Sequence, residues 1–196
     1  MAEMSTDETP GAVARYTAFA TAGTLSVTQD LTHAVLGSIG DMDGADSELV
    51  AEETLCLTAT ATARAAEVGA QDTPSIAAIV QDVLLQLPYT YRDYLVGCAM
   101  IGGDNPDLRE VGATVRHRLQ HKQQFYTSHL PAGKFPGPHA LTDVMEMWMG
   151  RVSPPKLPES PQQRLETLDL VTPTVTHCKL ILAYGRRGGP PVDDAE

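Results

Sequence analysis

Apolar residues recur along this chain every three or four positions, which is the spacing of amphipathic helices. In the first half this spacing predicts helices over residues 10–22 and 26–39, an Ala- and Thr-rich helix over 47–69, and an apolar helix from Pro74 to a break at Pro88. A shorter helix over 89–101 follows, with Tyr94, Leu95, Cys98 and Ile101 expected to face inward. The helix ending at Pro88 has the most apolar stripe, so we expect it to lie at the centre of the core.

The stretch over residues 104–130 predicts a basic helix. Asp104 or Asn105 suits its N-cap, and Pro106 suits its first helical position. Its apolar residues fall in one narrow sector, and the broad remainder carries Arg109, Arg116, His117, Arg118 and His121. Lys122 projects close to the apolar sector, so we expect its stem to lie along apolar surface and its ammonium to extend outward to water.

Proline and glycine interrupt the chain after this helix. Residues 131–136 predict a linker between a helical domain over 1–130, which starts with a loose acidic tail, and a smaller helical domain over 137–196. The second domain is predicted to contain helices over 139–152 and 161–182, with a proline-rich break between them, an interruption at Pro173 and a flexible tail. The predicted fold class is all-α: a helical bundle domain followed by a smaller helical C-terminal domain.

Composition agrees with helices, because aromatic residues make up only 5% of the chain and Ala, Leu, Val and Met supply the apolar mass. The net charge of −11 is unevenly divided. Residues 1–91 hold two cations against thirteen carboxylates, whereas residues 92–196 hold twelve of each. This division predicts head-to-tail attraction between copies of the chain. The alternative is that the charge only favours solubility.

The three cysteines Cys56, Cys98 and Cys178 are odd in number, widely spaced and set among apolar residues. They predict buried free thiols in a reducing compartment rather than a disulfide framework. The first residues lack the basic start and apolar block of a signal peptide, and no run reaches the length of a membrane span. We therefore expect a protein that is not secreted and that meets membranes only peripherally.

Motifs of catalysis are not found in the sequence. His117 and His121 have the i, i+4 spacing of two metal ligands, but no glutamate lies between them and their cationic neighbours would repel a divalent ion. No phosphate-binding glycine loop and no nucleophile elbow occurs. We therefore predict no catalytic residue, no metal, no cofactor and no small-molecule substrate. A small helical enzyme is the alternative, and it would need polar groups assembled from distant positions.

The basic helix predicts contact with a polyanion, either phospholipid headgroups or nucleic-acid phosphates. The candidate residues are Arg109, Arg116, Arg118, Lys122 and Lys134. Few aromatic residues accompany them, which favours contact with headgroups or the nucleic-acid backbone over base stacking. His117, His121 and His129 lie in the same helix and are candidates for pH sensing, because acidification adds positive charge there. The alternative for all of these side chains is a solvated helix face.

The chain resembles orthomyxovirus matrix proteins, with a length close to that of the isavirus branch. The similarity covers its size, its helical architecture, the Thr/Ala helix LTATATARAAE and the basic helix REVGATVRHRLQHK. It implies a non-enzymatic protein that polymerises beneath a viral envelope and contacts anionic membrane on one side and ribonucleoprotein on the other. It also implies a location in the virion and in the host cytoplasm or nucleus. The alternative is an RNA-binding nucleocapsid protein or a helical regulatory protein.

Overall fold

The computed structural model describes residues 8–39, 44–101, 108–153 and 159–188. Every regular element in these residues is a helix, which confirms the all-α fold class. Expectations about residues 1–7, the cap at 104–106, the proline-rich residues 154–158 and the tail after residue 188 lie outside the described part. The helices are α1 (Glu8–Ile39), α2 (Gly44–Gly69), α3 (Pro74–Ile101), α4 (Leu108–His129), α5 (Pro138–Val152), α6 (Pro161–Leu168) and α7 (Val171–Arg186).

Helix α2 forms the centre of the molecule. Its residues from 52 to 66 are all buried, and it packs against α1, α3, α4, α5 and α7. The expectation that the apolar helix before Pro88 is central is wrong, because Ile79 and Val83 on α3 are exposed. The Ala and Thr side chains of α2 are short, so several helices can approach its backbone at once.

Threonine hydroxyls in α2 find partners inside the core. Thr58 Oγ1 lies 2.6 Å from Thr28 Oγ1 of α1 and 3.0 Å from the carbonyl oxygen of Thr54. Thr24 Oγ1 of α1 donates to Thr62 Oγ1 at 3.0 Å. Buried hydroxyls cost stability unless they are hydrogen-bonded. The alternation of Thr and Ala therefore gives close packing together with polar contacts between α1 and α2.

Two predicted helix breaks are absent. Helix α1 continues through Gly23, where α7 crosses so closely that an added Cβ would lie 2.5 Å from His177 Cε1. Helix α3 continues through Pro88, although proline removes a backbone donor from the helix interior. In the turn before Pro88, the carbonyl of Leu85 accepts a hydrogen bond from Gln123 Nε2 of α4 at 2.5 Å. Contact with α4 therefore supports the turn that the proline disturbs.

The C-terminal end of α3 is exposed. Tyr94, Cys98 and Ile101 are in contact with water, and Ile101 is 89% exposed, so the expectation that they face inward is wrong. The side chain of Leu95 lies outside the described part of the structure. Because α3 does not break at Pro88, its last turns extend past the packed core instead of folding back onto it. Of the three cysteines, Cys56 and Cys178 are buried as expected.

One hydrophobic core includes residues from both sides of the loop at 131–137. Trp148 of α5, Leu165 of α6 and Ile181 of α7 belong to the same buried cluster as residues of α1 to α4. A separate C-terminal domain is thus not confirmed. The predicted interruption near Pro173 lies slightly earlier, at Asp169, which ends α6 in a left-handed conformation with φ 46°. Pro173 itself falls in the first turn of α7, where proline is tolerated.

Candidate functional site

The basic helix α4 lays one row of polar side chains against α2. Arg118, Lys122 and Tyr126 are spaced by four residues, so they share a face of the helix. That face contacts Glu52 and Glu53, which are adjacent residues of α2 and are both buried. Neither glutamate was predicted as a partner of the basic helix. Their place inside an apolar run was the available signal, because a buried carboxylate needs a cation or several donors as partners.

The two glutamates form a buried ion network with α4 and α5. Arg118 Nε and Nη2 donate to Glu52 Oε2 and Oε1 at 2.9 and 2.5 Å. Lys122 Nζ lies 3.2 Å from Glu52 Oε2 and 3.1 Å from Glu53 Oε2.

Glu53 accepts hydrogen bonds from two further side chains. The Tyr126 hydroxyl donates to Glu53 Oε1 at 3.0 Å, and Arg151 of α5 also donates to that oxygen. Burial first, and the neighbouring Glu53 carboxylate second, raise the pKa of Tyr126 well above its ordinary value. The tyrosine therefore stays protonated and remains a donor to Glu53.

This network changes the role expected for two predicted polyanion-binding residues. Lys122 does not extend to water as predicted, because its ammonium lies between the two glutamates and the residue is only 6% exposed. Arg118 is half-exposed but directs both of its donating nitrogens to Glu52. Neither side chain can turn to an external anion without removing one partner from a buried carboxylate.

The network also reduces the charge contrast between the two halves of the chain. Glu52 and Glu53 belong to the acidic half, and their three cationic partners belong to the other half. When these cations are set aside, residues 92–196 keep nine cations against twelve carboxylates. Part of the attraction between the halves therefore operates inside one molecule, which weakens the case for head-to-tail attraction between copies.

The other predicted site residues lie mostly at the surface. Arg116 is exposed on α4, and Lys134 is exposed in the loop after it. The side chain of Arg109 lies outside the described part of the structure. His117, His121 and His129 are exposed, and His117 Nε2 lies 3.2 Å from His121 Nε2. Arg116, His117 and His121 are thus all exposed on α4, and we call this exposed surface the outer face of α4.

A polar pocket of about 340 Å³ opens between α3 and α4 beside Arg116. We call it the α3/α4 pocket; it is lined by Gln86, Tyr89, Arg92, Asp93, Arg116, Gln120 and Gln123. Arg92 is buried, and its Nη2 donates to Asp93. Arg92 was not predicted as a site residue, because it was assigned to a separate short helix after a break at Pro88 and the relation of that helix to α4 was unknown.

A second, apolar groove of about 970 Å³ runs between α1 and α3. We call it the α1/α3 groove; its lining includes Val13, Ala14, Ala18, Leu25 and Ile79. The lining residues found within the described chain include no ionisable side chain. Leu25 and Ile79 are 44% and 48% exposed. Contiguous exposed apolar surface of this kind marks contact sites on proteins.

His177 differs from the histidines of α4 because it lies inside the fold. It is buried on α7, where its Nε2 lies 3.1 Å from Thr62 Oγ1 of α2. Burial lowers the pKa of His177 to about 4, so the side chain is neutral at ordinary pH. Protonation of His177 would therefore affect the stability of the contact among α1, α2 and α7, and not the surface of α4.

Neither metal clusters nor membrane spans occur in the parts of the chain that the structure describes. Histidine, cysteine and carboxylate side chains do not gather in groups of three there. None of the described helices combines the length and the apolar character needed to cross a bilayer. Comparison of the chain with known protein families, curated proteins and solved structures finds no match.

Proposed function

We propose that this chain is a non-enzymatic structural protein that associates with copies of itself and presents the outer face of α4 to an anionic surface. Its resemblance to orthomyxovirus matrix proteins extends this proposal to a layer beneath a viral envelope, between anionic membrane and ribonucleoprotein. The observation that carries self-association is the uncharged α1/α3 groove. The exposed Arg116 on α4 supports contact with anions.

The α1/α3 groove suits a second copy of this chain for an electrostatic reason. Two molecules that each carry a charge of −11 repel one another at most points of contact. The lining described for the groove bears no ionisable group, so copies can meet there without burying like charges. The small residues Ala14, Ala18 and Ala22 recur every four positions on α1 and allow a partner helix to approach closely.

Sedimentation equilibrium over a range of protein concentrations tests the association. We expect the wild type to associate and Ile79→Asp to remain monomeric, since the substitution puts a charge into the groove. Leu180→Asp is the matched control, because Leu180 is 44% exposed on α7 and does not line the groove. A monomeric wild type at high concentration, or equal loss of association in both variants, would contradict the proposal.

Contact with anions is tested separately by flotation with liposomes. Vesicles containing phosphatidylserine should retain the protein at low salt, whereas neutral vesicles should not, and Arg116→Gln should weaken retention. Each basic residue near a lipid surface contributes about 1 kcal/mol. Retention of RNA at the same salt, without retention by vesicles, would favour the nucleocapsid alternative. Absence of both kinds of retention would remove the anion contact from the proposed function.

A further inference from the structure

The α3/α4 pocket contains a buried cation whose hydrogen-bonding capacity is only partly used. Arg92 is 6% exposed, and its Nη2 donates to Asp93. Its Nε is shielded from water and has no hydrogen-bond partner within the described chain. A buried donor left unpaired costs about 1–3 kcal/mol, and such donors are uncommon in folded proteins. Arg92 is also one of the residues that line the α3/α4 pocket.

A second guanidinium faces the same pocket. Arg116 of α4 is exposed and has no carboxylate partner among the described residues. The pKa of Arg92 is lowered, first by burial and second by the positive charge of Arg116. Two arginines therefore repel each other across the pocket, and Asp93 is the one carboxylate in its described lining. An anion placed between them would relieve this repulsion.

Side-chain amides add neutral donors around the two arginines. Gln86 and Gln120 line the pocket, and their amide groups make no hydrogen bond within the described chain. Gln123 is held in place, because its Nε2 donates to the carbonyl of Leu85 and its Oε1 accepts from the Tyr89 hydroxyl at 2.8 Å. Tyr89 and Gln123 thus fix one wall, and the free amides of Gln86 and Gln120 can turn toward a ligand.

We propose that the α3/α4 pocket binds one phosphate group, either as inorganic phosphate or as the terminal phosphate monoester of a small molecule or lipid headgroup. A volume of about 340 Å³ is at the lower end of the range for ligand pockets, so it holds a phosphate group together with water or with part of the molecule that bears the phosphate. A phosphate monoester offers three acceptor oxygens and close to two negative charges near neutral pH. Paired guanidinium groups match that geometry better than lysines do.

Asp93 competes with an anionic ligand for Arg92, and this competition gives the proposal a sharp test. Its carboxylate occupies Nη2 of Arg92, and its side chain is 65% exposed, so it can move into solvent when an anion enters. Asp93→Asn removes the negative charge that competes with the ligand. We expect this variant to bind phosphate several times more tightly than the wild type.

The phosphate pocket is a more specific form of the anion contact proposed for α4. It rests on that proposed function only for the source of the phosphate. Isothermal titration of the full-length protein with inorganic phosphate at low salt measures the pocket directly. Arg116→Gln should weaken binding about tenfold, the loss expected for one charge-assisted hydrogen bond. Arg186→Gln is the control, because Arg186 is exposed on α7 and lies outside the pocket.

Two glutamine variants separate a discrete pocket from diffuse charge on α4. Gln120→Glu places a carboxylate inside the pocket without a change in shape and should reduce phosphate binding at least about tenfold. Gln124→Glu makes the same charge change one turn further along α4, at an exposed position outside the pocket, and should bind nearly as the wild type does. Equal weakening by both substitutions would overturn the pocket and leave the anion contact of α4 intact.

Vesicles identify the source of the phosphate. If the wild type binds inorganic phosphate with the expected pattern of variants, the pocket is supported and takes the free ion. If inorganic phosphate does not bind, but phosphatidic acid vesicles are preferred over phosphatidylserine vesicles of equal surface charge and Gln120→Glu removes that preference, the pocket is supported and takes a lipid headgroup. Absence of both results overturns the proposal, whatever the outcome for self-association.

Discussion

Lys122 Nζ lies 3.2 Å from Glu52 Oε2, and the two residues are 6% and 3% exposed. The same ammonium lies 3.1 Å from Glu53 Oε2, so one lysine of α4 joins two adjacent glutamates of α2. Burial of these charges costs several kcal/mol for each ion, which only close pairing offsets. The most basic helix of the chain is therefore attached to the central helix by charge.

Removal of the lysine should destabilise the protein strongly. Lys122→Met leaves two buried carboxylates with fewer partners, and breaking a buried pair in this way costs about 3–5 kcal/mol. Urea unfolding at neutral pH measures the loss. Arg116→Met is the control, since Arg116 is exposed on the same helix, and we expect its effect to stay within about 0.5 kcal/mol. Similar small effects for both variants would show that the network contributes little to stability.

The crossing of α2 and α7 depends on glycine. A Cβ added at Gly185 would lie 2.7 Å from the backbone carbon of Gly69 and 2.7 Å from the hydroxyl of Tyr16. That hydroxyl donates to the carbonyl of Ile181 at 2.9 Å, so Gly185→Ala must separate the helices or break this bond. We expect a loss of about 1–3 kcal/mol, as for other overpacked cores.

Gly97→Ala is the opposing control for this crossing. Among the described residues, no atom outside the helix backbone lies within 4 Å of a Cβ added at Gly97, and the residue is inside helix α3. Alanine is favoured over glycine in a helix interior, so this substitution should stabilise the protein by about 0.5–1 kcal/mol. Thermal unfolding compares the two variants. A Gly185→Ala protein that unfolds at or above the wild-type temperature would contradict the close approach of α2 and α7.

His177 should make the fold sensitive to acid. Burial lowers its folded-state pKa from 6.5 to about 4, so between these values the unfolded chain binds a proton that the native state does not. The contribution of His177 to stability is therefore complete above pH 6.5 and is lost as the pH falls toward 4. The loss amounts to about 3 kcal/mol, at about 1.4 kcal/mol for each pH unit.

A histidine variant separates the contribution of His177 to stability from that of the carboxylates, which titrate in the wild type and in every variant. His177→Gln retains a group that can hydrogen-bond to Thr62 but cannot be protonated. Its free energy of unfolding, measured with urea at pH 7, 6 and 5, should fall less than that of the wild type. His139→Gln, at an exposed position, should keep the wild-type dependence. Parallel curves for wild type and His177→Gln would contradict the assigned burial.

The helices were predictable from sequence because apolar spacing is a local property. The boundary after His129 and the helix starting near Pro138 agree closely with the pattern. Pro88 was misleading, because the cost of an interior proline was judged without the contacts that α4 provides. The central position of α2 was likewise not visible, since its short Ala and Thr side chains look weakly apolar until neighbouring helices enclose them.

The candidate sites were less predictable, because the sequence does not show which neighbour a charged side chain on a helix face will contact. Arg116 and Arg118 are two positions apart and looked equivalent, yet one is exposed and the other binds Glu52. Lys122 carried a clear signal in its closeness to the apolar sector, which was interpreted as an outward extension. Combined with the adjacent Glu52 and Glu53, the same signal indicates a buried pair.

The histidines on α4 give a prediction for self-association. Acidification from pH 7.5 to 5.5 covers the range in which histidine side chains take up a proton. His117, His121 and His129 are exposed, so protonation reduces the net negative charge of each copy and weakens the repulsion between copies. His177 remains neutral over this range, because burial holds its pKa near 4. We therefore expect tighter association at the lower pH.

Sedimentation equilibrium at the two pH values checks this expectation. Replacement of His117, His121 and His129 by Gln should remove most of the pH effect, whereas replacement of His33 and His139, exposed on α1 and α5, should leave at least half of it. Association that does not change with pH, or that changes equally in the triple variant, would show that these histidines are ordinary solvated residues.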